Sequence, residues 1–352
     1  MGFAHKNERI DSSTSSILRV VVPLILSAFS ENLMFLIDRI VLAYYSVDAM
    51  NAAMLGGALA SLYSIALMAI AGTTEIFVGQ YNGAKKYDKI GSPVWQMIYF
   101  VAISLIFVVP IGHFTKFLNL IPEYYAADGI SYQKILTYFC WLPALTGAFT
   151  GFFIGRGKTR IVTAVVVIGT LVNIALDYLL VFGYGNLVPS FGCNGAAIAT
   201  IVAEAVQALI LAFGFWSKRN REAYNTAKNK KFDKKLFFRC LRVGYPMAFG
   251  RCVEMLAWYL VLSAMSHISK ELATIQGVVT TVYVLFEFVC DGLVKGSATL
   301  SANFIGQKNM PSIACVFKKL TIITIIVCSV AMLPLLVAPG IVFDFLNTLH
   351  ED

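Results

Sequence analysis

"LRVVVPLILSAFSENL" occupies residues 18–33, and "LRVGYPMAFGRCVEML" occupies residues 241–256. Under a single offset of 223, Leu18, Arg19, Val20, Pro23, Glu31 and Leu33 return as Leu241, Arg242, Val243, Pro246, Glu254 and Leu256. "FVGQ" at 77–80 is echoed by "FIGQ" at 304–307. Apolar letters repeat easily by chance in an oily chain. A proline and a glutamate at matching depths do not, so the two segments mark an internal repeat.

The medium that surrounds the repeat follows from composition. The chain has 352 residues, 58% of them hydrophobic and 14% charged, with a mean hydropathy of +0.73. Soluble domains carry roughly 45–50% apolar and about 25% charged residues. The excess comes in stretches of about 20 residues or more, the length that crosses a bilayer core as a helix. Nine spans are predicted, over 17–43, 52–79, 94–115, 130–154, 161–183, 195–216, 238–266, 273–304 and 313–343. The fold class is therefore all-α, a polytopic membrane bundle in which each helix satisfies its own backbone.

Basic residues set the predicted orientation. Lys85, Lys86 and Lys89, then Arg156, Lys158 and Arg160, then "SKRNREAYNTAKNKKFDKK" at 217–235 all fall on one side. The alternate connections hold few bases, Lys116 and Lys270 excepted. The N-terminus and the basic loops are expected in the cytoplasm, and the end of the chain outside. The net charge of +8 is read as this topology signal and not as a nucleic-acid surface. The long basic loop is expected to tether two halves beside anionic headgroups.

Six spans separate the first helix from its echo, an even number, so the copies point the same way as parallel repeats. The expected divisions are a cytoplasmic segment over 1–16, a six-helix lobe over 17–216, a basic linker over 217–236, and a three-helix second lobe over 237–352. That second lobe is half the size of the first, so the chain reads as truncated after its ninth helix.

Cysteine points away from metal and redox chemistry. Cys140, Cys193, Cys240, Cys252, Cys290, Cys315 and Cys328 show no metal or redox spacing and are read as small buried hydrophobes. The polar start "MGFAHKNERIDSSTSS" lacks a signal-peptide pattern. With no nucleophile–base pair, phosphate loop or metal cluster standing out, no enzyme and no cofactor are expected.

Ionisable groups inside spans are expensive and functional by default. On the first span Glu31 and Asp38 share a face, about 10 Å apart along the axis. Asn173 and Asp177 are four apart on the fifth, and Thr200 and Glu204 four apart on the sixth. A hard cation such as Na⁺ takes several oxygens, neutral and anionic together. Asp38, Asn173, Asp177 and Thr200 could supply them, or the carboxylates could carry protons. The competing reading is plain helix glue, with Asp177 paired to Arg39. On the seventh span Arg251 and Glu254 share a face, and Glu287, Asp291 and Lys295 form a row on the eighth. Two bases and three acids leave one acid over, available to a cation or substrate. Pro23 and Pro246 each remove a helix hydrogen bond and are candidate hinges.

The series "PLILSAFSENLMFLIDRIVLA", "FVGQYNGAKK", "GRGKTR", "VNIALDYLLVFG" and "GCNGAAIAT", followed by "RVGYPMAFGRCVE", resembles the multidrug and toxic compound extrusion transporters in order and spacing. The likeness runs from about Ile17 to Phe345. It implies twelve helices in two lobes and export of organic, often cationic, compounds against inward Na⁺ or H⁺. The family's first-lobe cation site falls on Asp38, Asn173, Asp177 and Thr200, its kinking proline on Pro23, and a seventh-helix acid on Glu254. Its tenth-helix partner acid has no counterpart in these residues.

The expected function is thus a cation- or proton-coupled antiporter exporting small organic cations from a monomer in a bacterial inner membrane, in contact with lipids and without nucleic acid. A lipid-linked oligosaccharide flippase of the wider superfamily shares the fold but calls for a basic cavity. A truncated membrane protein without transport is the other alternative.

Overall fold

The computed structural model describes residues 10–114 and 121–337. Its helices are α1 (Thr14–Tyr45), α2 (Val47–Ala71), α3 (Thr73–Gly83), α4 (Gly91–Phe114), α5 (Glu123–Tyr138) and α6 (Trp141–Ile154). They continue with α7 (Thr159–Phe182), α8 (Cys193–Trp216), α9 (Lys218–Tyr224), α10 (Lys234–Ile268), α11 (Lys270–Gly306) and α12 (Met310–Val337). The described residues form no strand beyond one isolated bridge, Tyr184 with Val188. The expected position of the chain end, and residues 338–343 of the last predicted span, lie outside the described residues.

Local chemistry sets the helix ends. The Ser13 hydroxyl accepts from the Ser16 N–H at 3.2 Å and opens α1. Asp233 accepts from the N–H groups of Lys235 and Leu236 to open α10, and Ser269 accepts from Leu272 to open α11. The second predicted span divides at Gly72, where the Thr73 and Thr74 hydroxyls turn back to the carbonyls of Ile70 and Ala71, each at 2.7 Å. α7 stops at Gly183, whose φ of +78° suits glycine; a Cβ there would meet the Val188 carbonyl at 2.7 Å.

Among the described residues, seven stretches can cross a membrane by length and composition, and the α5–α6 pair, bent by 41°, makes an eighth if counted once. The chain is a multi-pass membrane protein. α11 covers the span predicted over 273–304 and is packed by α1, α3, α10 and α12.

The repeat is visible in the packing. α1 lies along α11, and α2 lies along α10, so each repeat's first helix meets the other's second. The echoed phrases meet as well. A Cβ on Gly79 would stand 2.8 Å from that of Ala302, while Gly83 approaches the Asn303 carbonyl and Gly306 the Gln80 carbonyl still more closely. These small residues let backbones touch, as between helices in lipid. Asn82 Nδ2 then donates to Asn303 Oδ1 at 2.8 Å, and Asn303 Nδ2 to the Gly155 carbonyl at 2.9 Å.

The basic connection is more than a loose tether. Trp95 Nε1 donates to the Thr226 carbonyl at 2.6 Å, Asn229 Nδ2 to Asp88 at 2.6 Å, and Gln96 Nε2 to Lys231 at 3.1 Å. Tyr99 donates to the Lys230 carbonyl. Arg156, 8% exposed, stacks over Phe152 at 3.7 Å and Tyr224 at 4.4 Å. Burial pushes its guanidinium down to about 10, which still leaves it charged at neutral pH.

The cysteines are free. Cys140, Cys193 and Cys240 are buried and Cys252, Cys290 and Cys328 partly so, but Cys315 is exposed on α12. That departs from the expectation of seven buried thiols: the outer face of α12 is largely uncovered by protein.

Candidate cation site and its surroundings

Asp38 enters from α1, Asn173 and Asp177 from α7, and Thr200 from α8. α1 packs on α7 and α7 on α8, so the four converge inside the first lobe. Asp38 is 5% exposed, and Asn173 and Asp177 are fully buried. Thr200 Oγ1 donates to Asp38 Oδ2 at 3.4 Å and to the Ala196 carbonyl at 3.0 Å. Asp177 and Asn173 stand close enough to act on Asp38.

Their polar atoms are otherwise unsatisfied. Asp38 Oδ1, both oxygens of Asp177, and both the oxygen and nitrogen of Asn173 are buried without a formed hydrogen bond to protein. Buried polar groups are normally paired, and each exception asks for an explanation. Helix glue accounts for the Thr200–Asp38 bond but leaves two buried carboxyl groups facing each other. Nor does Arg39 pair with Asp177; it acts instead on Tyr132 and Asp38. Two carboxylates, a carboxamide and a hydroxyl are hard oxygen donors fit for one monovalent cation or for protons. Among the described residues no cluster of three or more Asp, Glu, His or Cys could hold a metal ion, so a site rich in carboxylates for a divalent ion is absent there.

Pro23 lies about four turns before Asp38 on α1. Its carbonyl accepts the Ser27 hydroxyl at 3.0 Å and the Thr163 hydroxyl of α7 at 2.6 Å. Farther along, Thr170 donates to the Ser30 carbonyl at 3.2 Å. α7 thus grips α1 at its proline and carries Asn173 and Asp177 on the same helix. Pro246 lies inside an unbroken α10, where the neighbouring Gly244 presses on Ile70 of α2.

In the second lobe Arg251 pairs with Glu254 at 2.9 Å and with Asp291 at 3.3 Å. Glu287 adds to the field around Arg251 without an ion pair among the described residues. Lys295 does not join its own row. It reaches across to Glu31 of α1 at 3.8 Å. Glu75, an acid inside the span predicted over 52–79, is a further partly buried carboxylate of this region. It accepts a hydrogen bond from Thr299 of α11. Glu204 Oε2 is buried without a formed hydrogen bond.

The MatE family profile matches residues 23–179, the stretch that holds Asp38, Asn173 and Asp177. Over that stretch the chain is similar to the MatE family. It is 26% identical over 269 residues to the probable multidrug resistance protein YoeA of Bacillus subtilis, covering 74% of this chain and 58% of that protein. It is 24% identical over 253 residues to the probable multidrug resistance protein NorM of Thermotoga maritima, covering 69% and 53%. The chain therefore spans just over half the length of these relatives. Among solved structures it is similar to a MATE in complex with MaL6, with a TM-score of 0.83, 18% identity, and 98% of this chain and 77% of that one covered. It is also similar to a MOP superfamily transporter from Pyrococcus furiosus, described as having a binding pocket of reversed polarity, with a TM-score of 0.82, 17% identity, and 97% and 75% covered. At these identities the structures establish the fold, a polytopic helical bundle.

Proposed function

We propose that this chain is a MatE-type antiporter that moves small organic cations outward against Na⁺ or H⁺, from a bacterial inner membrane with its N-terminus in the cytoplasm. The observation that carries the reading is the unsatisfied set of Asp38, Asn173 and Asp177. Such a set is stable only when something neutralises it. Asp38 and Asp177 supply charge, Asn173 and Thr200 supply neutral oxygens, and the ion they take is the coupling ion.

Coupling needs a second state that the ion favours. α1 offers it at Pro23, where the backbone lacks a hydrogen bond and side-chain hydroxyls from Ser27 and Thr163 hold the carbonyl. Solved neighbours of this fold include a MATE in a straight conformation and a MATE in a bent conformation, which supports a hinge at Pro23; Pro246 is its counterpart in the second lobe. The transport path lies between the lobes, where Glu254, Glu287 and Asp291 outnumber Arg251 and favour positive substrates. The divisions at residues 17, 217 and 237, a monomeric state, and contact of the basic linker with anionic lipid complete the reading.

The test is ethidium efflux from vesicles containing the chain, under an imposed Na⁺ or proton gradient. Gradient-dependent efflux that disappears in Asp177→Asn supports the proposal. Wild-type efflux from that variant, with an unchanged response to both gradients, would sink it.

A further inference from the structure

A second polar group lies where the lobes meet, apart from the Asp38 set. Glu31 on α1 and Glu75 on α3 belong to the first lobe, while Lys295 and Thr299 lie one turn apart on α11. Lys295 Nζ stands 3.8 Å from Glu31 Oε2, and both side chains are 41% exposed. Glu75 acts on the same ammonium and is held by the Thr299 hydroxyl. Glu204 of α8 is near enough to Glu31 to sense its charge, with Oε2 buried and without a formed hydrogen bond.

Glu31, Asp291 and Glu75 thus all act on one ammonium, Glu31 most strongly, and Glu204 feels Glu31 in turn. The neighbouring base cannot help, because Arg251 is engaged by Glu254 and Asp291. Lys295 itself is poorly seated. A charge-assisted N⁺–H···O⁻ bond is about 2.7–2.9 Å long, so 3.8 Å is a loose contact, and it is the only ion pair of Lys295 among the described residues. Lysine is a compact charge on a flexible stem, easily withdrawn. Among the described residues, Glu31, Glu75 and Glu204 form no other ion pair.

We propose that Glu31 and Glu75, with Glu204 behind them, receive the positive group of an organic cation, and that Lys295 is a tethered rival seated there until the substrate arrives. The inference rests on the transport reading above and names the residue that sets its selectivity. The acids belong to α1, α3 and α8 and the rival to α11, so displacement also removes a charge contact between lobes. A cation strong enough to evict the ammonium thereby loosens the pair α1–α11.

The experiment measures ethidium binding to the chain in nanodiscs by fluorescence, with folding checked by thermal melting. Lys295→Gln should bind ethidium roughly three- to tenfold more tightly, the scale expected for removing one partly exposed competing charge. Lys295→Arg should bind no better than wild type, Glu31→Gln should bind more weakly, and the double variant should show no gain. A folded Lys295→Gln with unchanged or weaker affinity overturns the proposal, as does a gain that survives Glu31→Gln. If the wild type binds ethidium and only the variants misbehave, the transport reading stands and this inference alone falls. If neither wild type nor Lys295→Gln binds ethidium, both fall. A second measurement needs no variant: reductive methylation of Lys295, followed by mass spectrometry, should speed up when ethidium is added. Unchanged or slower labelling contradicts displacement.

Discussion

The hydroxyl of Thr163 on α7 donates to the carbonyl of Pro23 on α1 at 2.6 Å. The helix carrying two of the cation-site residues therefore also holds the proline of the helix carrying the third. Replacing Thr163 with Val keeps the shape and removes the donor, while Ser27 still holds the carbonyl. A loss of about 1 kcal/mol is expected for one such bond. Hydrogen exchange of the α1 backbone around residues 19–27 should accelerate in Thr163→Val. Exchange that matches wild type would show that α7 does not restrain the bend.

Much of this arrangement was legible before any coordinates. Apolar lengths marked the helices, and the 3.6-residue period placed Asn173 with Asp177 and Glu31 with Asp38. The recurring Pro and Glu disclosed the repeat. What stayed hidden was partner choice between elements. Lys295 was read with its own row because i, i+4 spacing is local, whereas its contact with Glu31 depends on α1 lying beside α11. Glu75 escaped notice for a similar reason: its partner Thr299 is 224 residues away. The strapping of the basic linker was equally invisible, since its bonds go to backbone carbonyls, which carry no sequence signal.

The contact between the echoed phrases can be trapped. A Cβ at Gly79 would lie 2.8 Å from that of Ala302, and disulfides need Cβ atoms about 3.5–4.5 Å apart, a small adjustment. In a background with the native cysteines replaced, the pair Gly79→Cys and Ala302→Cys should oxidise under mild conditions. Cleavage within the linker would then leave two fragments joined until a reductant is added. Fragments that separate without reductant would show that α3 and α11 do not meet here.

Arg156 locks the linker to the first lobe by stacking on Phe152 and Tyr224 and by donating to the Phe152 carbonyl at 2.8 Å. Lysine keeps the charge but loses the planar stack. Arg156→Lys should lower stability by about 1–2 kcal/mol, read as an earlier thermal transition, and should raise protease sensitivity between residues 217 and 233. A variant with wild-type melting and cleavage would reduce the latch to a bystander.

The central claim is that the buried and unsatisfied Asp38, Asn173 and Asp177 hold an ion. Direct binding tests it with no assumption about transport: ²²Na⁺ binding and proton release by the chain in nanodiscs, compared with Asp38→Asn and Asp177→Asn. The account predicts that the wild type takes up Na⁺, or exchanges protons with the medium when ethidium is added, and that each substitution abolishes the response while the melting transition persists. Folded Asp38→Asn and Asp177→Asn proteins that bind Na⁺ and exchange protons as the wild type does would contradict it.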